Sequence, residues 1–257
     1  CLLGCGGWGC VYRCTTPTGV YALKASKSLS GALEGGEPLP TVAEGALTPE
    51  ASWLYKLVHP NLVRVLGYSR VLPVAVYEYA DGGSLRRWIP RARLSAALVR
   101  GAALHVASGL RFLHSRGLVH GDVKPENVLV SSGVLKLGDY SSVRSLLEEA
   151  ERASLGPSVR IHCTPGYCAP EQVYADLAAR ASRLGYEDRV DVYQLGVLIL
   201  EASTGKVLDG SRRVGMSRAE LDALLGGVDP GLRDLVGEML QAEPWSRPSI
   251  SEVIRRL

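Results

Sequence analysis

Apolar and polar positions fall along this chain in blocks that read first as short strands and later as helices. Residues 1–15 read as strand, tight turn, strand, and Gly19–Lys24 alternates as a further strand. Residues 26–46 are rich in Ser, Gly, Pro and Glu without a period and predict a loop. Thr48-Pro49-Glu50 combines cap, proline and acid, and predicts a helix start with Leu54, Leu57 and Val58 as its apolar stripe. Two strands are predicted at 62–69 and 71–79. A long helix is predicted from Leu94 to Ser115, with Leu98, Ala102, Val106, Leu110 and Leu113 at helical spacing. The apolar runs Leu118-Val119 and Val128-Leu129-Val130 enclose a polar loop. A short strand over 133–139 ends in an acid, residues 142–162 are polar and serine-containing, and Asp188–Leu200 predicts a buried helix.

Chemistry concentrates in the polar loop His120-Gly121-Asp122-Val123-Lys124-Pro125-Glu126-Asn127. An imidazole, two carboxylates, an amine and a carboxamide share eight residues. Buried charge is costly unless paired, so a core has no use for that mix. A site that moves a charged group does. Near the start, Gly4, Gly6 and Gly9 form G-x-G-x-x-G, and glycine lets backbone approach phosphates closely. A dinucleotide-binding fold would follow this motif with a helix. Here a strand, Cys10 to Cys14, follows instead.

The pattern H-x-D-x-K-P-x-N resembles the catalytic loop of Hanks-type protein kinases, and the other motifs appear in that family's order. The Gly-rich hairpin with Val11 and Ala22 resembles the family's cover over ATP. Lys24 matches the lysine that holds the α- and β-phosphates, and Glu50, rather than Glu44, matches its partner glutamate, because His59-Pro60-Asn61 follows at the usual distance. Val74–Leu85 resembles the hinge: Tyr77 falls at the gatekeeper position, Glu78 and Ala80 offer backbone to adenine, and Leu129 also joins the nucleotide pocket. Asp139 in D-Y-S resembles the D-F-G aspartate. Cys163–Glu171 resembles the G-T-P-x-Y-x-A-P-E close of the activation segment. Asp191 matches the aspartate that bonds the catalytic loop, and Arg247 the buried partner of Glu171.

The resemblance implies an α+β, bilobal kinase fold, as a single domain over 1–257. Residues 1–79 form the N-lobe and 80–257 the C-lobe, with the activation segment at 139–171. It implies transfer of the γ-phosphate of ATP to a protein Ser or Thr hydroxyl, with Mg²⁺ or Mn²⁺. Asp122 is the expected base and Lys124 the stabiliser of phosphate charge. Asn127 and Asp139 are the expected metal ligands, which suits a cation preferring oxygen. Lys124 with Thr164 resembles the serine/threonine branch. His120 is expected to pack in a column with Leu54, Val65 and Tyr140.

Two positions depart from the family. Gly121 stands where regulated kinases carry Arg, so ordering through a phosphorylated loop is not expected by that route, although Arg144, Arg152 or Arg160 offers a substitute. Ser141 replaces the D-F-G glycine, which puts the usual flexibility there in question. Glu126 is either a reader of substrate arginine or a solvated acid. The rival readings are a nucleotide-binding pseudokinase scaffold and a small-molecule kinase. The latter generally lacks the Lys124 and A-P-E features.

Composition narrows the partners. The chain has 257 residues, 46% hydrophobic and 21% charged, at net charge +3. That length suits one large domain or two lobes, and that charge argues against nucleic acid as a partner. No run is expected to cross a bilayer, so no membrane contact is expected within this segment, and the oligomeric state is left open. The start at Cys1, inside a motif, suggests a domain from a longer, cytoplasmic or membrane-anchored protein. The six cysteines lack a C-x-x-C pair and are expected to be small packing residues in a reducing compartment, although a disulfide near the N-terminus is conceivable.

Overall fold

The alternating strands at the start of the chain pair as an antiparallel sheet in the computed structural model, which describes residues 1–6, 9–27, 29–30, 54, 56–69, 72, 74–89, 94–146, 163–206 and 218–257. The strands are Leu2–Gly6 (β1), Gly9–Thr16 (β2), Gly19–Ala25 (β3), Val65–Tyr68 (β4) and Val74–Glu78 (β5), in the order β1-β2-β3-β5-β4. β3 sits mid-sheet, with Lys24 opposite Val11 and Ala75, and Ala22 opposite Arg13 and Tyr77. Gly9 is required by packing: a Cβ there would lie 2.0 Å from the Ala25 carbonyl oxygen. Gly4 and Gly6 have no neighbouring atom within 4 Å of a Cβ. Glu50 and Glu44 lie outside the described residues.

This sheet belongs to one compact unit, Cys1–Gly83 with Val130–Gly133. The second unit, Ser84–Leu129 with Val134–Leu257, is mainly helical. Short strands punctuate the rest of the chain: Gly83–Ser84 (β6), Leu118–Val119 (β7), Val128–Ser131 (β8), Val134–Leu137 (β9) and Arg144–Ser145 (β10). The helices are Leu85–Trp88 (α1), Ala96–His114 (α2), Ala175–Leu184 (α3), Arg189–Thr204 (α4), Arg218–Leu225 (α5), Pro230–Met239 (α6) and Ile250–Arg256 (α7). A sheet unit and a helical unit are the two parts that the expected bilobal α+β fold calls for.

Helix α4 is the centre of the second unit, buried continuously from Val190 to Ser203. A helix apolar all round belongs in a core. Helix α2 packs against α4, α7 and β9. Its buried face is Val99, Ala102, Ala103, Val106, Ala107, Leu110 and Leu113. Leu98, expected on that face, is 62% exposed, because its side chain lies off the buried arc and the adjacent Val99 fills the core position. At 19 residues and mean hydropathy 1.2, α2 is long and apolar enough to cross a bilayer, contrary to expectation. Its apolar face is taken up by the core of the unit.

The cysteines also differ from expectation. Cys5 and Cys10 form a disulfide across the β1–β2 hairpin, and Cys163 and Cys168 form a second one. The hairpin register sets Cys5 directly opposite Cys10, with Cα atoms 4.1 Å apart, so the turn itself brings the thiols together. Cys1 and Cys14 are free.

Arg247 uses every donor of its guanidinium. Nη1 and Nη2 reach Glu171 at 2.6 and 2.8 Å, and Nε, Nη1 and Nη2 also donate to the carbonyls of Gln241, Arg189 and Ala242. Both partners are buried, at 3% and 5% exposure, so removal of one strands a charge. Arg247→Ala is expected to lower unfolding free energy by about 3–5 kcal/mol in guanidinium titration. Arg247→Lys is expected to recover only part of this, because an ammonium lacks the planar fork.

Candidate active site

The polar loop at 120–127 is held from below by side chains of the buried helix α4. Asp191 accepts from the N–H of His120 (2.9 Å) and of Gly121 (2.7 Å), and its Oδ2 lies 2.8 Å from His114 Nε2. Gln194, one turn on, accepts from the N–H of Val123 at 2.7 Å and donates to the Gly121 carbonyl at 2.9 Å. Gln172 donates to the same carbonyl at 2.9 Å. Buried polar groups need partners, and here the partners are loop backbone. Burial pushes the Asp191 carboxyl up. The hydrogen bond and the charge of His114, with the Gly121 N–H, outweigh burial and hold it below the ordinary carboxylate value.

Gly121 takes φ +78°, a left-handed conformation disfavoured for residues with a Cβ. A Cβ there would meet the Ser142 carbonyl at 3.1 Å and an Arg144 nitrogen at 3.5 Å. Arg144 therefore stands beside the position where the family carries its arginine. Arg152 and Arg160 lie outside the described residues.

His120 is fully buried and bonded at both ring nitrogens. Nδ1 accepts from the Asp122 N–H at 3.3 Å, which makes Nε2 the donor to the Gly138 carbonyl at 3.0 Å. Its ring meets Tyr140 edge-on at 6.3 Å. It pins the loop to the strand end before Asp139, and of the expected column it meets Tyr140.

Asp122, Lys124, Asn127 and Thr164 form one network. Asp122 Oδ1 accepts from the Thr164 hydroxyl at 2.7 Å, and Oδ2 accepts from Asn127 Nδ2 at 3.0 Å. Lys124 Nζ lies 2.7 Å from Asp122 Oδ2 and donates to Thr164 Oγ1 at 2.5 Å. Asn127 Nδ2 also donates to the Asp122 carbonyl at 2.8 Å, so the amide nitrogen faces the loop and the amide oxygen is left for other partners. The Gly138 N–H donates to the Asn127 carbonyl at 2.8 Å, which brings Asn127 next to Asp139 in the fold. Asp139 takes φ +57°, and its Oδ1 accepts from the Ser141 hydroxyl at 2.8 Å. The residue replacing the glycine therefore holds the carboxylate expected to bind metal. An amide oxygen and a carboxylate are hard donors and fit Mg²⁺, which keeps waters and takes substrate phosphates for its remaining positions. Among the described residues, no cluster of three or more His, Cys, Asp or Glu could hold a metal alone.

A second network lay outside the sequence reading. Arg86 donates to Glu126 (2.6 Å), to the Tyr167 hydroxyl (2.8 Å) and to Glu201, and Tyr167 also donates to Glu201. Burial opposes the Arg86 charge, but its bonds to Glu201 and then Glu126 outweigh that and raise its pKa. Burial and the bond to Glu201 push the Tyr167 phenol up. Glu126 is thus already engaged by an arginine of its own chain. The available signal was Glu201 itself, a second carboxylate besides Asp191 in a mostly apolar helix.

In the first unit, Lys24, Val11 and Ala22 lie on neighbouring strands of the sheet. The Glu78 N–H donates to the Arg64 carbonyl at 3.0 Å, and its carboxylate accepts from the Arg64 N–H at 2.7 Å. Ala80 is buried.

Residues 1–256 match the protein kinase domain family. The leucine-rich repeat receptor-like protein kinase PXC2 of Arabidopsis thaliana is 30% identical over 99% of this chain and 27% of its own length. The probable LRR receptor-like serine/threonine-protein kinase IRK of the same plant is 35% identical over 80% of this chain and 20% of its own. The serine/threonine-protein kinase Nek5 of Homo sapiens is 28% identical over 86% of this chain and 31% of its own. The chain thus spans less than a third of the length of each of these relatives.

The Asp191 carboxyl is held below its unfolded value of about 3.9, so its stabilisation is complete above that pH and fades as pH falls through the folded pKa. Asp191→Asn leaves one acceptor for two backbone N–H groups and is expected to lose on the order of 3 kcal/mol at pH 7. Urea unfolding from pH 7 down to pH 3 is expected to show a constant gap between the two proteins that narrows only below about pH 4. A gap independent of pH over that whole range would refute the assignment.

Proposed function

The chain belongs to the protein kinase domain family, and from that premise we propose that it transfers the γ-phosphate of ATP to serine or threonine hydroxyls of protein substrates. The observation that carries the reading is the occupancy of Asp122. A carboxylate offers about four acceptor positions. Thr164, Asn127 and Lys124 take three of them. The remaining one suits a substrate hydroxyl, which Asp122 would orient and whose proton it would accept. An ammonium has three donors, and Lys124 uses two on Asp122 and Thr164, which leaves one for the transferred phosphate.

Lys24, paired by Glu50, would hold the α- and β-phosphates under Gly4, Gly6 and Gly9. Val11, Ala22 and Leu129 would enclose adenine, and backbone of Glu78 and Ala80 would bond its edge. Asn127 and Asp139 would hold Mg²⁺ or Mn²⁺, which neutralises charge building on the phosphates. Asp122 orients the acceptor, Lys124 faces the phosphate and Thr164 fixes both. We read residues 1–257 as a single kinase domain, cytoplasmic in location, with any membrane anchor elsewhere in the full protein. Its partners are proteins bearing Ser or Thr acceptors.

A second reading, a nucleotide-binding scaffold without transfer, draws support from Ser141, whose hydroxyl occupies one oxygen of Asp139. Incubation with labelled ATP, Mg²⁺ and a generic protein acceptor is expected to give phosphoserine and phosphothreonine. Asp122→Asn is expected to lower the rate by about 10²–10⁴. Equal signals from both proteins would leave the scaffold reading.

Ser141 orients the carboxylate expected to meet the metal. Ser141→Gly is expected to raise the half-saturating Mg²⁺ concentration about tenfold, at the low end of what losing such a partner costs. An unchanged Mg²⁺ requirement would assign Ser141 no part in the site.

A further inference from the structure

Cys163 and Cys168 form a disulfide, with Cα atoms 5.3 Å apart, on the segment that touches the catalytic pair. It closes a ring around Thr164, Pro165, Gly166 and Tyr167. Two of these reach into the networks described above. Thr164 donates to Asp122 and accepts from Lys124, and Tyr167 bonds Glu201 and Arg86. Gly166 turns the chain at φ +90°, and the Tyr167 N–H donates to the Thr164 carbonyl at 2.9 Å. The disulfide therefore shuts the turn whose side chains join Asp122 to α4. Both cysteines are partly exposed, within reach of solvent oxidants and thiols.

We propose that Cys163–Cys168 is a reversible redox site that sets the position of Thr164 against Asp122. Its output, a change in phosphotransfer rate, rests on the kinase reading, whereas its chemistry does not. With peroxide as oxidant, one thiolate attacks the O–O bond, and a sulfenic acid forms as hydroxide leaves and is protonated to water. The second thiol attacks that sulfur, and the Sγ–Sγ bond forms as a second water leaves. Two thiols and one hydrogen peroxide give one disulfide and two waters. A dithiol reverses the step: its thiolate attacks one sulfur, the other leaves as thiolate, and the reductant closes to its own disulfide. Two electrons and two protons return to the cysteines.

In the oxidised form the ring restrains Thr164 covalently, one peptide bond from Cys163. In the reduced form hydrogen bonds alone hold it. The oxidised form is thus the more ordered and the faster one. A reducing compartment keeps the pair as thiols at rest, so oxidant raises activity.

The test compares the protein after peroxide and after dithiothreitol. Peptide mapping without reduction is expected to find the Cys163–Cys168 bond only after peroxide. Amide hydrogen exchange over 163–171 is expected to be faster after dithiothreitol. Phosphotransfer is expected to be about tenfold slower after dithiothreitol, within the hundredfold that a misplacement of 1 Å can cause. The double variant Cys163→Ser with Cys168→Ser is expected to show the slow rate under both treatments. If it does not fold, parent protein reduced and alkylated at these thiols takes its place. Because both reagents also act on Cys5–Cys10, Cys5→Ser with Cys10→Ser serves as the control and is expected to keep the response. Failure to form the bond, or exchange equal in both states, overturns the proposal. A rate equal in both states of a transferring protein overturns its output. Responsive exchange without phosphotransfer in either state refutes the kinase reading and leaves the redox site standing.

Discussion

The second unit depends on one buried carboxylate. Asp191 sits fully buried in α4 and holds the backbone N–H groups of His120 and Gly121. A charge taken out of water is tolerated only where donors replace the water it loses. Here the donors are the loop itself, so the loop cannot leave without stranding the charge, and the charge cannot be stable without the loop. Gln194, three residues on, repeats the arrangement with Val123 and Gly121. Glu201, seven residues further, does the same for Arg86 and Tyr167. Residues three, four and seven apart share a helix face. One face of α4 thus sets the loop, the segment after Thr164 and the start of the unit in a single frame.

Gly121 is the point where that frame asks most of the backbone. Its N–H is taken by Asp191 and its carbonyl by Gln172 and Gln194, so both peptide groups are fixed and φ has nowhere to relax. Glycine accepts φ +78° without the roughly 1–2 kcal/mol that a Cβ would add. The absent arginine therefore brings a local conformational gain. Arg144 stands beside the gap, so a cation remains in that neighbourhood although it comes from another strand.

The central motif was legible because it puts polar residues where an apolar pattern predicts none. The loop at 120–127 announces itself that way, whereas Asp191, Glu171 and Arg247 were legible through their match to the family's motifs. The sheet was legible from alternation, with strand ends off by a few residues, because pairing rather than composition decides where a strand stops. Three features were not legible. The disulfides depend on which cysteines face each other, and spacing alone does not give that. The Arg86 network joins residues far apart in sequence, and nothing local marks Arg86 as different from Arg87. The Ser141 contact needs the left-handed turn at Asp139, which a non-glycine residue does not advertise.

The left-handed residues of the second unit show where change is permitted. Asp139 carries a conformation worth about 1–3 kcal/mol of strain. Its surroundings over-determine it. His120 holds the Gly138 carbonyl, Asn127 holds the Gly138 N–H, and Ser141 holds the Asp139 carboxylate. Gly121 is held as firmly. The turn at Thr164–Tyr167 differs. One backbone hydrogen bond closes it, Thr164 and Tyr167 reach Asp122 and Glu201, and its flanking cysteines are partly exposed. The core fixes the loop at 120–127, so the segment that touches the loop from outside is the part held by the fewest contacts of its own. In this chain that segment carries the Cys163–Cys168 bond, which the redox proposal makes the variable link between Asp122 and α4.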